Sequence, residues 1–132
     1  ALGGKVEMSD HGWGVGVHTY DILGETGLSD QPERISCALS HKDQVTVLPP
    51  GSERVGGSAF CPNGIIRYAQ GRALSFQMHP EFEHDFAEAL LNVRADSIPT
   101  DVAALARATY RQPTDRDFIG HWIASFFKGD AK

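Results

Sequence analysis

The stretch SFQMHPEF, residues 75–82, lies where the periodicity of the chain changes. Ahead of it, apolar residues alternate or run in short blocks, as strands do. Behind it, Phe82, Phe86 and Leu90, with Ala87 and Leu91, recur at helical spacing. The stretch therefore reads as a strand-to-helix joint, and it holds His79 and Glu81 on either side of Pro80. Pro80 disfavours helical backbone at His79 and does not itself continue a helix comfortably. On extended backbone, side chains two apart point the same way. The spacing thus predicts an imidazole and a carboxylate on one side of the chain at the end of a strand, where active sites of α/β sheets gather. A carboxylate in that place holds the imidazole in one tautomer and stabilises its cation, which is the base-and-orienter pair of a nucleophilic triad. Taken alone, the tripeptide favours a simpler reading: a His–Glu pair in a turn, with Glu81 near a helix N-terminus.

Upstream of the joint, ALSFQM and IIRYAQ read as strands joined at Gln70–Gly71, with CPNG as the preceding turn. SERVGGSAF is a weak strand, and VTVLPP is a short strand closed by two prolines. HKDQ reads as a turn or a single helical turn. ISCALS places Ile35, Cys37 and Leu39 on one face, and GWGVGVHTYDIL alternates Val15, Val17 and Thr19 against Gly16, His18 and Tyr20. GETGLSDQPER is a polar loop and KVEMS a short strand. ALGG, residues 1–4, resembles the last turn of a helix capped by Gly3 or Gly4, as if sequence preceded it. Downstream, Asp96 to Pro99 break the first helix, and a second covers 100–110 with Thr100 or Asp101 as its cap. A third runs from about Asp115 to Phe127, with Phe118, Ile119, Trp122, Ile123 and Phe126 on one face. Strands followed by helices indicate an α+β domain or part of an α/β domain.

The 132 residues fit one domain, and 41% hydrophobic with 22% charged residues is ordinary globular composition. A net charge of −5 argues against a nucleic-acid partner, which needs a basic face. No stretch approaches the roughly 18 apolar residues of a membrane span. The two cysteines, Cys37 and Cys61, form no disulfide framework, which points to a reducing, cytoplasmic setting. His79, Glu81 and His84 do not make a zinc motif: the histidines are five apart with a proline between them, and no cysteine follows residue 61. The glycines of GWGVG lack nucleotide-loop spacing and precede no helix, so no cofactor is expected.

Four motifs in order decide more than any one of them. S-H-x-D-x-V at residues 40–45, L-P-P-G at 48–51, F-C-P-N at 60–63 and S-F-Q-x-H-P-E-F at 75–82 together resemble class I (triad-type, GMP-synthase-like) glutamine amidotransferase domains. The likeness covers residues 1 to about 92 and corresponds to the C-terminal portion of such a domain; residues 93–132 match only a generic helical tail. The resemblance implies a flavodoxin-like three-layer α/β sandwich with a mainly parallel sheet and a small antiparallel patch. It implies that the N-terminal strands and the nucleophile elbow lie outside this chain. The family triad is Cys, His and Glu, and His79 and Glu81 match its second and third members. Its nucleophile sits in G-x-C-x-G, which surrounds neither Cys37 nor Cys61, so both cysteines read as structural. Ser40, His41, Lys42 and Asp43 match the loop lining the glutamine pocket.

The activity so implied is hydrolysis of the glutamine side-chain amide to glutamate and ammonia through a Cys thioester, with a synthetase partner receiving the ammonia. His79 is its general base and acid, and Glu81 is the orienter. Two alternatives stay open: a γ-glutamyl peptidase or hydrolase, which attacks the same carbonyl carbon, and a non-catalytic interaction module that kept the fold.

Overall fold

Among the described residues, 2–68 and 73–129, seven strands and three helices follow one another in a computed structural model. The strands are β1 (Lys5–Met8), β2 (Gly14–Ile22), β3 (Arg34–His41), β4 (Asp43–Val47), β5 (Glu53–Gly57), β6 (Ile65–Tyr68) and β7 (Ala73–Phe76). The helices are α1 (His84–Val93), α2 (Thr100–Thr109) and α3 (Arg116–Lys128), with a 3₁₀ turn at Ala95–Ser97 between the first two. The expected turn at Gln70–Gly71, and the part of the IIRYAQ strand beyond Tyr68, lie outside the described residues.

Five strands form one sheet in the order β3-β2-β5-β6-β7, and β1 with β4 forms a separate ribbon. Every pairing among them is antiparallel. A mainly parallel sheet needs crossover connections of a dozen or more residues, and the links here are shorter. This chain thus carries the antiparallel part of the expected sheet. The sheet curls strongly: just past β7 the His79 N–H donates to the Ala38 carbonyl of β3, at the opposite end of the strand order, across 2.8 Å.

Side-chain alternation divides the core between the two faces of the curled sheet. Val15, Val17 and Ala38 pack with Ala87 and Leu91 of α1 and Ala103 and Ala106 of α2. Tyr20, Ile35, Cys37 and Leu39 pack on the other face with Val55, Ile65 and the α3 residues Ile119 and Trp122. The result is three layers, with α1 and α2 on one face and α3 on the other. Ile35, Cys37 and Leu39 share a face as their period-two spacing predicts.

Several local expectations change. Residues 2–4 form no helix; Gly3 is left-handed at φ 90 and lies against the ring of Pro50, so the Pro49–Pro50 turn shapes this segment. HKDQ is no turn of its own. β3 runs through His41 and β4 begins at Asp43, leaving Lys42 as a corner whose carbonyl accepts the Ser9 N–H at 2.6 Å. Phe86 is not a core residue but 53% exposed, since α1 turns Ala87 and Leu91 to the sheet and leaves Phe86 edge-on to Phe82. Pro99 is the N-cap of α2, ahead of Thr100 and Asp101, and no side chain caps that helix.

Gly16 shows how closely α2 sits on β2. Its φ is 95, and a Cβ there would lie 2.6 Å from Thr109 Oγ1 and 3.0 Å from Ala106 Cα. The Thr109 hydroxyl accepts the Val17 N–H at 2.8 Å and donates to the Ala106 carbonyl at 2.6 Å, so the helix end is tied to the strand. Gly16→Ala combines left-handed strain with overpacking, and it is expected to destabilise the fold by about 2 kcal/mol or more in urea unfolding. A loss below about 0.5 kcal/mol would show that α2 retreats freely.

Candidate active site

The HPE segment is a β-turn and not an extended strand end. The Phe82 N–H donates to the His79 carbonyl at 3.1 Å, closing a four-residue turn with Pro80 and Glu81 at its centre. Proline favours the second position of such turns because its φ is preset. Rigid backbone therefore brings the two side chains together, by a route that strand alternation does not describe. His79 Nδ1 and Glu81 Oε1 are 2.7 Å apart. An ionised carboxylate only accepts, so Nδ1 carries the proton and donates it, leaving Nε2 of the neutral ring with its lone pair free. The ring also stacks on Phe82, with centroids 4.2 Å apart and planes 8° from parallel. Because the Glu81 side chain is 64% exposed, the His79–Glu81 bond contributes at most about 1 kcal/mol of stability, and orientation is its larger effect.

The turn is held from β3 and from α3. Ala38 of β3 accepts the His79 N–H, Arg116 Nε donates to the Pro80 carbonyl at 3.1 Å, and Arg116 Nη1 lies 3.5 Å from Glu83 Oε1. A groove of about 590 Å³ opens beside it, lined by Pro80, Glu81, Arg116 and four further α3 residues.

The loop expected to line a pocket is built at the corner between β3 and β4. Arg94, which ends α1, donates from Nη1 to Ser40 Oγ at 2.8 Å and to the Ser40 carbonyl at 3.3 Å. Lys42 Nζ and Arg94 Cζ lie 5.6 and 5.8 Å from the centroid of the Trp13 ring. Both ring nitrogens of His41 are buried without a hydrogen-bond partner among the described residues, and the ring lies 5.9 Å from that of Phe60. Burial lowers the His41 pKa below the ordinary imidazole value, and the neighbouring His79 and His18 act in the same direction. The main chain and carboxylate of Asp43 oppose this, with no hydrogen bond of good geometry to either ring nitrogen. Asp43 opens β4 opposite Met8. A second cleft, of about 370 Å³, lies further along the β1–β4 ribbon and is lined by none of these four residues.

The cysteines are placed as core residues. Cys37 and Cys61 are 1% and 0% exposed. Burial pushes the Cys37 thiol up to about 12 and the Cys61 thiol up to about 11, so neither is a thiolate near neutral pH. Among the described residues no three His, Cys, Asp or Glu side chains converge where they could hold a metal ion. No helix among them is long and apolar enough to cross a membrane.

Sequence reading misses Arg116, Arg94, Trp13 and Ala38. The first acts across 36 residues and the second across 54, so local pattern carries no signal for either. Helical spacing puts Phe82 on a helix face, although its place three residues after His79 fits the end of a turn.

No protein-family model matches the chain. The glutamine-hydrolyzing GMP synthase of Enterococcus faecalis is 38% identical over 84 residues, covering 63% of this chain and 16% of that protein. In Methanoculleus marisnigri the relative is a separate, shorter subunit of the glutamine-hydrolyzing GMP synthase. It is 30% identical over 99 residues, covering 74% of this chain and 53% of its own length. Among solved structures, a glutamine amidotransferase from Thermotoga maritima superposes with a TM-score of 0.70 at 19% identity, covering 98% of this chain and 55% of that one. One from Methylobacillus flagellatus gives 0.73 at 15% identity, covering 99% and 57%. The chain thus spans about half the length of these structures and of the separate GMP synthase subunit. By sequence the chain is similar to part of these glutamine-hydrolyzing GMP synthases, and it shares the fold of the class I glutamine amidotransferase structures.

Proposed function

We propose that this chain supplies the base and orienter of a glutamine-hydrolysing triad, and that the nucleophilic cysteine comes from a segment outside it. The observation that carries the reading is the 2.7 Å bond from His79 Nδ1 to Glu81, which leaves Nε2 free to accept a proton. Burial, with thiol pKa values raised to about 12 and about 11, argues against Cys37 and Cys61 as the nucleophile and so supports this reading.

In the proposed reaction Nε2 of His79 takes the thiol proton, and the thiolate attacks the side-chain carbonyl carbon of glutamine. The tetrahedral intermediate collapses with cleavage of the C–N bond, and the imidazolium returns its proton to the leaving nitrogen, releasing ammonia. Nε2 next deprotonates water, which attacks the thioester; glutamate leaves and the thiol is restored. Glu81 stabilises the imidazolium in each half. Ser40, His41, Lys42 and Asp43 line the glutamine pocket, and their main-chain amides hold the substrate α-carboxylate. The ammonia passes to a synthetase in the cytoplasm, in keeping with the synthase names of the relatives.

The test is release of glutamate and ammonia from glutamine by the full-length protein. Glu81→Gln should also slow that turnover, by roughly tenfold to a hundredfold less than loss of the histidine does, since the base survives with poorer orientation. Absence of ammonia release by the wild type, or full activity of Glu81→Gln, would sink the reading.

A further inference from the structure

We infer that Arg116 is a positioning residue for the His79–Glu81 pair, acting through a closed ring of hydrogen bonds that joins β3, the HPE turn and the start of α3. The reaction it serves rests on the function proposed above; the ring itself does not. Among the described residues β3 ends the strand order of its sheet, and its outer edge has no strand partner there. Two bonding sites on that edge are used. The Ala38 carbonyl accepts the His79 N–H at 2.8 Å. Two residues earlier, Ser36 makes a reciprocal pair with Asp115: its carbonyl accepts the Asp115 N–H at 2.8 Å, and its own N–H donates to Asp115 Oδ2 at 2.7 Å. These anchors stand about 6.6 Å apart along the strand, at about 3.3 Å per residue. Arg116 follows Asp115 directly, and its Nε–H on the Pro80 carbonyl closes the ring.

The closing bond falls on the one peptide group that decides the turn. In a four-residue turn with proline second, types I and II differ mainly in the orientation of the central peptide, and proline fits both. Here that peptide joins Pro80 to Glu81, and its oxygen is the atom Arg116 holds. A flip would re-aim the Glu81 Cα–Cβ bond and take the carboxylate away from Nδ1. Arg116 also lies 3.5 Å from Glu83 on the far side of the turn, with its side chain 36% exposed, so the guanidinium is braced at both ends. The pocket loop is held separately, by Arg94 on Ser40.

The experiment compares wild type, Arg116→Met and Arg116→Lys in the full-length protein by ring ¹⁵N NMR of His79 and by steady-state kinetics with glutamine. The wild type should show the Nδ1–H tautomer of the neutral ring. Arg116→Met should give mixed tautomers and lower kcat by about tenfold to a hundredfold, with KM within about twofold. Arg116→Lys, which retains one donor, should recover a single tautomer and most of kcat. Should Arg116→Met fail to fold, Arg116→Gln, too short to reach Pro80, is read against the same expectations. A variant lacking the donor that keeps both tautomer and kcat overturns the inference. A lowered Tm with tautomer and kcat unchanged does so too, because it leaves Arg116 a merely structural role. If the wild type releases no ammonia, the proposed function fails, and the tautomers alone then decide whether Arg116 positions the pair.

Discussion

His79→Ala in the full-length protein is expected to lower glutamine turnover by about 10⁴-fold or more, which is what removal of a triad histidine costs when the remaining groups cannot replace the base. The fold should lose less than about 1 kcal/mol. The side chain is 34% exposed, its hydrogen bond with Glu81 is at the surface, and the turn is held by main-chain bonds that alanine keeps. Turnover and urea unfolding, measured on one preparation, separate the two effects. Turnover within tenfold of wild type would remove His79 from the chemistry. A variant that unfolds while its folded fraction still works normally would make His79 a structural residue.

Trp122→Ala should produce the largest loss of stability, about 3–5 kcal/mol. Trp122 is 1% exposed and meets Phe76 of β7 edge-on at 5.2 Å and Phe118 at 6.2 Å. Truncation leaves a cavity between α3 and the curled sheet, beside Ile119 and Ile65 of the same core cluster. Against a total stability of about 5–15 kcal/mol, that is enough to detach α3 under mild conditions. Since Arg116 begins α3, the turn loses its brace at the same time, so activity should fall before global unfolding. A loss below about 1.5 kcal/mol would mean that Phe118 and Ile123 collapse into the space.

What is legible in the sequence is local. Period-two and period-3.6 patterns locate the strands and the three helices, because each reflects the burial of one face. Ile35, Cys37 and Leu39 are the clearest case. His79 and Glu81 are legible as a pair because they stand two apart, yet the backbone that joins them is a turn where the spacing implies extended chain. Proline presets φ for the second turn position as well as for extended chain, and the His79–Phe82 bond selects the turn. Strand order is not legible: β1 pairs with β4 across two intervening strands, and nothing in KVEM names DQVTV as its partner. Nor are the arginines. Apart from Glu83 beside Arg116, their partners are the Ser40 hydroxyl and the carbonyls of Pro80 and Ser40, and a backbone oxygen leaves no mark in composition.

The burial of Cys37 and Cys61 gives the protein a built-in clock. A thiol-alkylating reagent reacts with thiolate that it can reach, and in the folded state these two offer neither thiolate nor access. Labelling at either site therefore waits for the structure to open. With opening fast relative to reaction, its rate measures the free energy of that opening. Cys37 lies on β3, between the two residues that hold the turn and α3, whereas Cys61 sits at the loop ahead of β6. The two rates thus report on opening at β3 and at the loop ahead of β6, and an exposed cysteine elsewhere in a longer chain would be consumed long before either.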